Sequence, residues 1–145
     1  AARAFFNDTG IRFELEKAGG LLWFRALNYR LDIVCGDYFG FSDEPFDALY
    51  DRAALVALSS ELRPAYVEHT KTLLKADAAQ LLLTLEYDQS KVGGPPFSVL
   101  PKEVNAHWPR LQRVGELCAL KNMPPKYREA QLSEFVEAVW LSAPG

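Results

Sequence analysis

Three short stretches set reactive side chain types directly after apolar runs: "GDYF" (residues 36–39), "YDRAAL" (50–55) and "EYDQSKVGGPPF" (86–97). Asp37 places a carboxylate, a hydrogen-bond acceptor, beside two aromatic rings, Tyr38 and Phe39, which can lie against a flat ring or a cation. Arg52 offers a guanidinium that can pair with an anionic ligand or a carboxylate. In the third stretch Gly93-Gly94 permits a sharp turn, Pro95-Pro96 stiffens it, and Phe97 follows on a fixed support. A rigid apolar wall of this kind can exclude water and hold a flat molecule in a cleft. A fourth group, Lys126-Tyr127-Arg128, adds two cations. Each group also has a plain alternative. Asp37 can be a solvated acid beside core aromatics, Arg52 can pair with Asp51, and Pro95 can simply stiffen a connection. Lys126 and Arg128 can be exposed strand-edge charges.

The elements that would position these residues alternate. "AARAFFND" is expected to end a helix, stopped at Thr9-Gly10. The runs "IRFELEKAGG", "LLWFRALN" and "YRLDIVCGDYF" have the aromatic and branched content of extended ribbons. The last is expected to become a core strand from Leu31 to about Asp37. "FDALYD" (46–51) is a short strand. Leu62, Tyr66, Thr70 and Leu73 then recur at helical spacing, with Val67 and Leu74 widening the stripe. Ser59 or Ser60 is expected to cap that helix, with Pro64 in its first turn. "AQLLLTLEY" is apolar on both faces, as suits a parallel strand covered by helices. A helix is predicted from Pro101, and "GELCAL" and "LSEFVEAVWLS" are expected to close the sheet as an antiparallel pair. Strand, helix, strand, helix and two closing strands make an α/β layer fold, in which ligands bind beyond the carboxyl ends of the strands. The three opening stretches all fall there.

Composition narrows the function. The chain has 145 residues, enough for one core, so residues 1–145 are expected to form a single domain. A formal net charge of −3 offers no basic footprint for nucleic acid, which points to a small-molecule substrate. No apolar run approaches the roughly 20 residues that span a bilayer, and the first residues lack a secretory pattern, so a cytoplasmic protein without membrane contact is expected. Cys35 and Cys118 lie in apolar runs and are expected to be buried and reduced. His69 and His107 have no partners at metal-ligand spacing, and "VGGPP" lacks the lysine-serine ending of a phosphate loop. Glu14, Glu16 and Glu61 look like solvated faces.

The segments "GDYFGF", "ALYDRAALVAL", "LLLTLEYD" and "GGPPFSVLPKEV", in this order and spacing, resemble the thiopurine S-methyltransferase family. "KYREAQLSEFVEAVW" is similar to that family's closing strand region. The resemblance covers essentially the whole chain. It implies S-adenosylmethionine as cofactor and a Rossmann-like class I methyltransferase sheet. Such a sheet opens with a strand ending in a glycine-rich cofactor loop and a second strand ending in an acid for the ribose. Nothing in this sequence precedes the "AARAFF" helix, which resembles the one after that second strand. The chain is therefore expected to be an incomplete methyltransferase domain lacking the first two strands. On that reasoning the 145 residues alone would be inactive and prone to associate, and the full-length protein a monomer.

The resemblance further implies that Asp37 and Tyr38 bind the adenine end of the cofactor and that Arg52 lies at the active site near cofactor and substrate. Pro96 and Phe97 would line the acceptor pocket, and Lys126 or Arg128 would bring a cation to the substrate. The expected reaction is in-line methyl transfer to a soft nucleophile: a thiol of thiopurine type, or a selenium or tellurium compound. The competing expectation is a non-catalytic remnant or binding module that needs a partner to complete its fold.

Overall fold

Two separate β-sheets organise the protein, whose computed structural model describes residues 1–142. The chain divides into two compact units, residues 1–43 and residues from Glu44 onward.

The first unit opens with α1 (Ala2–Thr9), which closes on Gly10, whose N–H reaches the carbonyl of Asn7. Three antiparallel strands follow in the order β1 (Phe13–Ala18), β2 (Leu21–Ala26) and β3 (Asp32–Cys35). Gly19 and Gly20 make the two-residue turn between β1 and β2, and both have positive φ (58° and 79°), as the twist of such a hairpin requires. Phe6 and Ala2 of α1 bury against Phe24 of β2, with Phe13 and Ile33 at the margin. On the solvated side Arg25 bridges Glu16 (2.7 Å) and Asp32 (2.6 Å), an exposed pairing that adds little stability. The strand expected from Leu31 to Asp37 is shorter and lies at an edge. Its four residues are exposed or half-buried, because only Ile33 and Val34 have apolar partners to meet. Cys35 is exposed at that edge, contrary to expectation.

The second unit holds β4 (Phe46–Asp51), a four-residue helix α2 (Ala54–Ala57), α3 (Arg63–Thr72), β5 (Leu74–Tyr87) and α4 (Pro101–His107). It continues with β6 (Gln112–Cys118), α5 (Pro125–Glu129) and β7 (Phe135–Ser142). Its strands order as β4-β5-β7-β6; β4 and β5 are parallel, and β7 runs antiparallel to both its neighbours. The last strand thus inserts beside β5 and leaves β6 at the edge. This is an α/β sheet of Rossmann-like type. One face is covered by helices, around Leu55, Val56, Tyr66, Val67, Leu82, Trp108, Ala138 and Trp140. The Trp140 indole donates to the Thr84 hydroxyl at 2.9 Å, so two buried polar groups satisfy each other. A second cluster joins Tyr87, Met123, Tyr127, Leu132 and Phe135.

Several expectations need correction here. Neither Ser59 nor Ser60 caps α3 with its side chain. The cap residue is Leu62, and it is the Ser59 carbonyl that receives the N–H groups of Leu62 and Arg63. Leu74 belongs to β5, where it pairs with Phe46, so β5 starts earlier than its apolar run suggests. Lys126 and Arg128 sit on helix α5 and not on a strand edge. Cys118 is exposed, because β6 presents all its residues to solvent. Among the described residues no helix is long and apolar enough to cross a membrane, and no cluster of His, Cys, Asp and Glu could hold a metal ion.

Candidate active site

The cleft in the second unit is built from the end of β4. Asp51 is 5% exposed, and its carboxylate accepts the N–H of Ala54 (2.9 Å), the N–H of Leu55 and the Tyr66 hydroxyl (2.8 Å). It therefore starts α2 and ties that turn to α3, as a capping acid does. The ion pair considered between Asp51 and Arg52 does not form. Arg52 is exposed, and among the described residues its guanidinium has no hydrogen-bond or salt-bridge partner. It lines a cleft of about 600 Å³ with Val56, Leu83, Leu85, Pro95, Pro96 and Glu137.

The wall formed by Pro95 and Pro96 is pinned from several sides. Lys126 Nζ donates to the carbonyls of Gly93 (3.0 Å) and Pro95 (2.7 Å). The Pro96 carbonyl accepts the hydroxyls of Tyr87 (2.8 Å) and Tyr127 (2.7 Å). Burial pushes both phenols up from the ordinary tyrosine value, so both stay protonated donors. Phe97 N–H donates to Val56 O at 2.6 Å, and Ser98 N–H donates to Gln89 Oε1 at 2.9 Å. Buried Arg63 braces the far end: Nη2 donates to Ser98 O (3.1 Å) and Nη1 to Glu103 (2.7 Å). Gly94 is required for a steric reason, since a Cβ there would collide with the Phe97 ring. That ring packs over Gly94 with the Arg63 guanidinium 5.9 Å from its centroid. Pro95 and Pro96 line the cleft, and Phe97 is not among its lining residues.

The first unit carries a hollow of its own, about 320 Å³, lined by Leu21, Val34, Gly36, Asp37, Tyr38 and Phe41. Asp37 Oδ1 accepts the Phe39 N–H (3.0 Å) and opens a 3-10 turn over Tyr38–Gly40. Among the described residues Oδ2 accepts no hydrogen bond. Tyr38 and Phe39 are 38% and 47% exposed, so they are not the core aromatics of the plain alternative. An apolar hollow with one available carboxylate oxygen offers the acceptor that a purine's exocyclic amino group, a donor, needs.

The sequence model of the family described as thiopurine S-methyltransferase matches residues 1–143. The chain belongs to that family. It is 35% identical over 150 residues to the thiopurine S-methyltransferase of Pseudomonas syringae pv. tomato, covering 99% of this chain and 66% of that protein. It is 44% identical over 150 residues to the Vibrio atlanticus relative, covering 97% and 65%. The chain thus spans about two thirds of the length of these relatives. Among solved structures, the [4+2]-cyclase SpnF superposes with a TM-score of 0.55 at 11% identity, over 99% of this chain and 62% of that one. TehB from Haemophilus influenzae gives 0.50 at 13% identity, over 76% and 40%. At these identities the two structures speak to the fold alone.

Within the thiopurine S-methyltransferase frame, the cleft brings together Arg52 and Pro96 of the expected residues, with Lys126 fastened to the same loop. Asp37 and Tyr38 share the hollow of the first unit. Arg128 Nη2 donates to the Met123 carbonyl at 3.3 Å, within its own segment. Sequence reasoning missed Tyr87 and Glu137, and it missed the roles of Asp51 as a helix cap, of Gly94 as a seat for the Phe97 ring and of Tyr127 as a donor to Pro96. Asp51 had a signal, an acid three residues before a helical turn. Glu137 had one too, a carboxylate interrupting the apolar run "FVEAVW". The two tyrosines had none, because their shared partner is the Pro96 carbonyl, reached across a turn from Tyr87 and from another element by Tyr127.

Proposed function

We propose that the whole protein transfers a methyl group from S-adenosylmethionine to the sulfur, selenium or tellurium atom of a small molecule. The observation that carries this reading is the Arg52 guanidinium, without a partner among the described residues, in a cleft walled by the pinned Pro95-Pro96 loop and otherwise apolar but for Thr84 and Glu137. S-adenosylmethionine, when bound, supplies an electrophilic methyl group on a positively charged sulfur that departs as a neutral thioether. Asp37 and Tyr38 are the residues of this chain suited to its adenine end, through the carboxylate oxygen Oδ2 and the aromatic face. Arg52 holds the acceptor's anionic atom and favours its ionised form. The proline wall and Leu83 and Leu85 exclude water and restrict the acceptor to one plane, which is the main task in an in-line displacement. A thiol on an aromatic ring, or a selenol, ionises near neutral pH, so it needs this cation more than a strong base.

The family membership and the cleft support this reading together. Its test is mass spectrometry of products from the full-length protein with isotope-labelled S-adenosylmethionine and benzenethiol. The label should appear on sulfur. Absence of a labelled methyl sulfide, or a label on ring carbon, would remove the proposal.

A further inference from the structure

Glu137 is an unusual occupant of β7. Strand interiors disfavour glutamate, and the neighbours in this strand are Val136, Ala138, Val139 and Trp140. Ala138 and Trp140 pack into the helix-covered core, so alternation puts Glu137 on the opposite face, in register with Leu85 of β5 and Leu117 of β6. That face lines the Arg52 cleft. Glu137 is half-buried, and among the described residues its carboxylate has neither a hydrogen-bond donor nor an ion-pair partner. Partial burial of an unpaired charge against leucine costs stability, and an apolar residue would fill the position at no such cost. The cleft therefore holds two charges of opposite sign that have no partner among the described residues.

We infer that Glu137 is a specificity-determining residue that accepts a hydrogen bond from an N–H group carried on the same framework as the acceptor's sulfur. This rests on the methyl-transfer reading given above. An anionic sulfur is drawn to Arg52 and repelled by Glu137, so the two charges orient the acceptor as well as bind it. The end away from the sulfur then meets a carboxylate, which has acceptor capacity only and demands a donor. An amino-substituted aryl thiol or a heteroaryl thiol with a ring N–H satisfies both charges. A plain aryl thiol leaves the carboxylate without a partner. Sites built around a polar contact discriminate strongly against analogues that lack it.

The test compares kcat/KM of the full-length protein for aminobenzenethiol and methylbenzenethiol, taken as ortho, meta and para pairs of nearly equal size. The wild type should prefer the amino member of at least one pair by about tenfold or more, and Glu137→Leu should bring that ratio to within about twofold of unity. Intrinsic differences in sulfur reactivity cancel between wild type and variant. Glu137→Gln, which retains an acceptor oxygen and sheds the charge, should lower the ratio less, and it carries the test should Glu137→Leu not fold. Equal losses on both members of a pair would overturn the inference and make Glu137 a partner that positions Arg52. A wild-type ratio near unity in all three pairs, or one unchanged by substitution, would overturn it as well. Absence of turnover on every thiol would instead strike the methyl-transfer reading itself.

Discussion

The turn at Asp37–Phe41 and the loop at Gly93–Phe97 each border a hollow, and their backbones are held in different ways. The backbone of the first closes on itself: Asp37 accepts from Phe39, Gly40 N–H reaches the Asp37 carbonyl, and Phe41 N–H reaches the Tyr38 carbonyl, while the Phe41 ring meets Trp23 of β2 with centroids 5.7 Å apart. The second is fastened from a distance, by Tyr87 on β5, Val56 on α2, and Lys126 and Tyr127 on α5. Locally closed turns can adjust without disturbing a core. A loop tied to three elements cannot. The turn's backbone is held by its own residues, and the loop's by three other elements.

The contrast can be broken at either end. Gly94→Ala should have the largest effect on stability, because its Cβ meets the root of the Phe97 ring and the ring is half-buried. Overpacking of this kind costs about 1–3 kcal/mol, to be read as a lowered denaturation midpoint of the full-length protein. An unchanged midpoint would mean the loop yields easily and is no rigid wall.

Removing both phenols should come next. Tyr127→Phe alone leaves the Pro96 carbonyl one donor, at a cost of about 0.5–1.5 kcal/mol, whereas the Tyr87→Phe, Tyr127→Phe double variant leaves it none and should cost more than the two singles combined. The phenols also set a pH window. Their folded values are raised by burial, so the unfolded chain ionises first. Stability is then constant up to about pH 10 and falls above it, a slope the double variant should lack. A wild type and double variant with equal alkaline slopes would contradict the account of the clamp.

Asp37→Ala should have the smallest effect on the fold, since it removes one exposed hydrogen bond. S-adenosylmethionine binding by the full-length protein should weaken by up to roughly tenfold, the worth of one polar contact. Calorimetry that finds equal affinity for both proteins would make Asp37 a turn residue only.

Much of this architecture could be read from residues 1–145 before any coordinates. "FDALYD" reads as a short strand with the bounds of β4, Pro101 marks the start of α4, and the runs on either side of Gly19-Gly20 read as extended ribbons. What stayed hidden was settled by distant partners. β5 extends back through Lys75, Ala76 and Asp77, two of them charged, because Leu74 finds Phe46. Helix α2 exists within an apolar run because Asp51 supplies its cap. In the candidate site, Arg52 and Pro96 were legible as residue types after a strand. The pinning of Pro96 by Tyr127, 31 residues on, was not. Lys126 was legible as a cation, but its donors serve two loop carbonyls.

The central claim is that Arg52 acts on an anionic acceptor in the cleft it lines. The most direct measurement is kcat/KM for benzenethiol in full-length wild type and Arg52→Ala, with folding checked by thermal melting. The variant should lose more than about tenfold, about 1.4 kcal/mol or more of transition-state stabilisation, with its melting temperature essentially unmoved because the side chain is exposed. Unchanged turnover of the thiol by a folded Arg52→Ala protein would contradict the account.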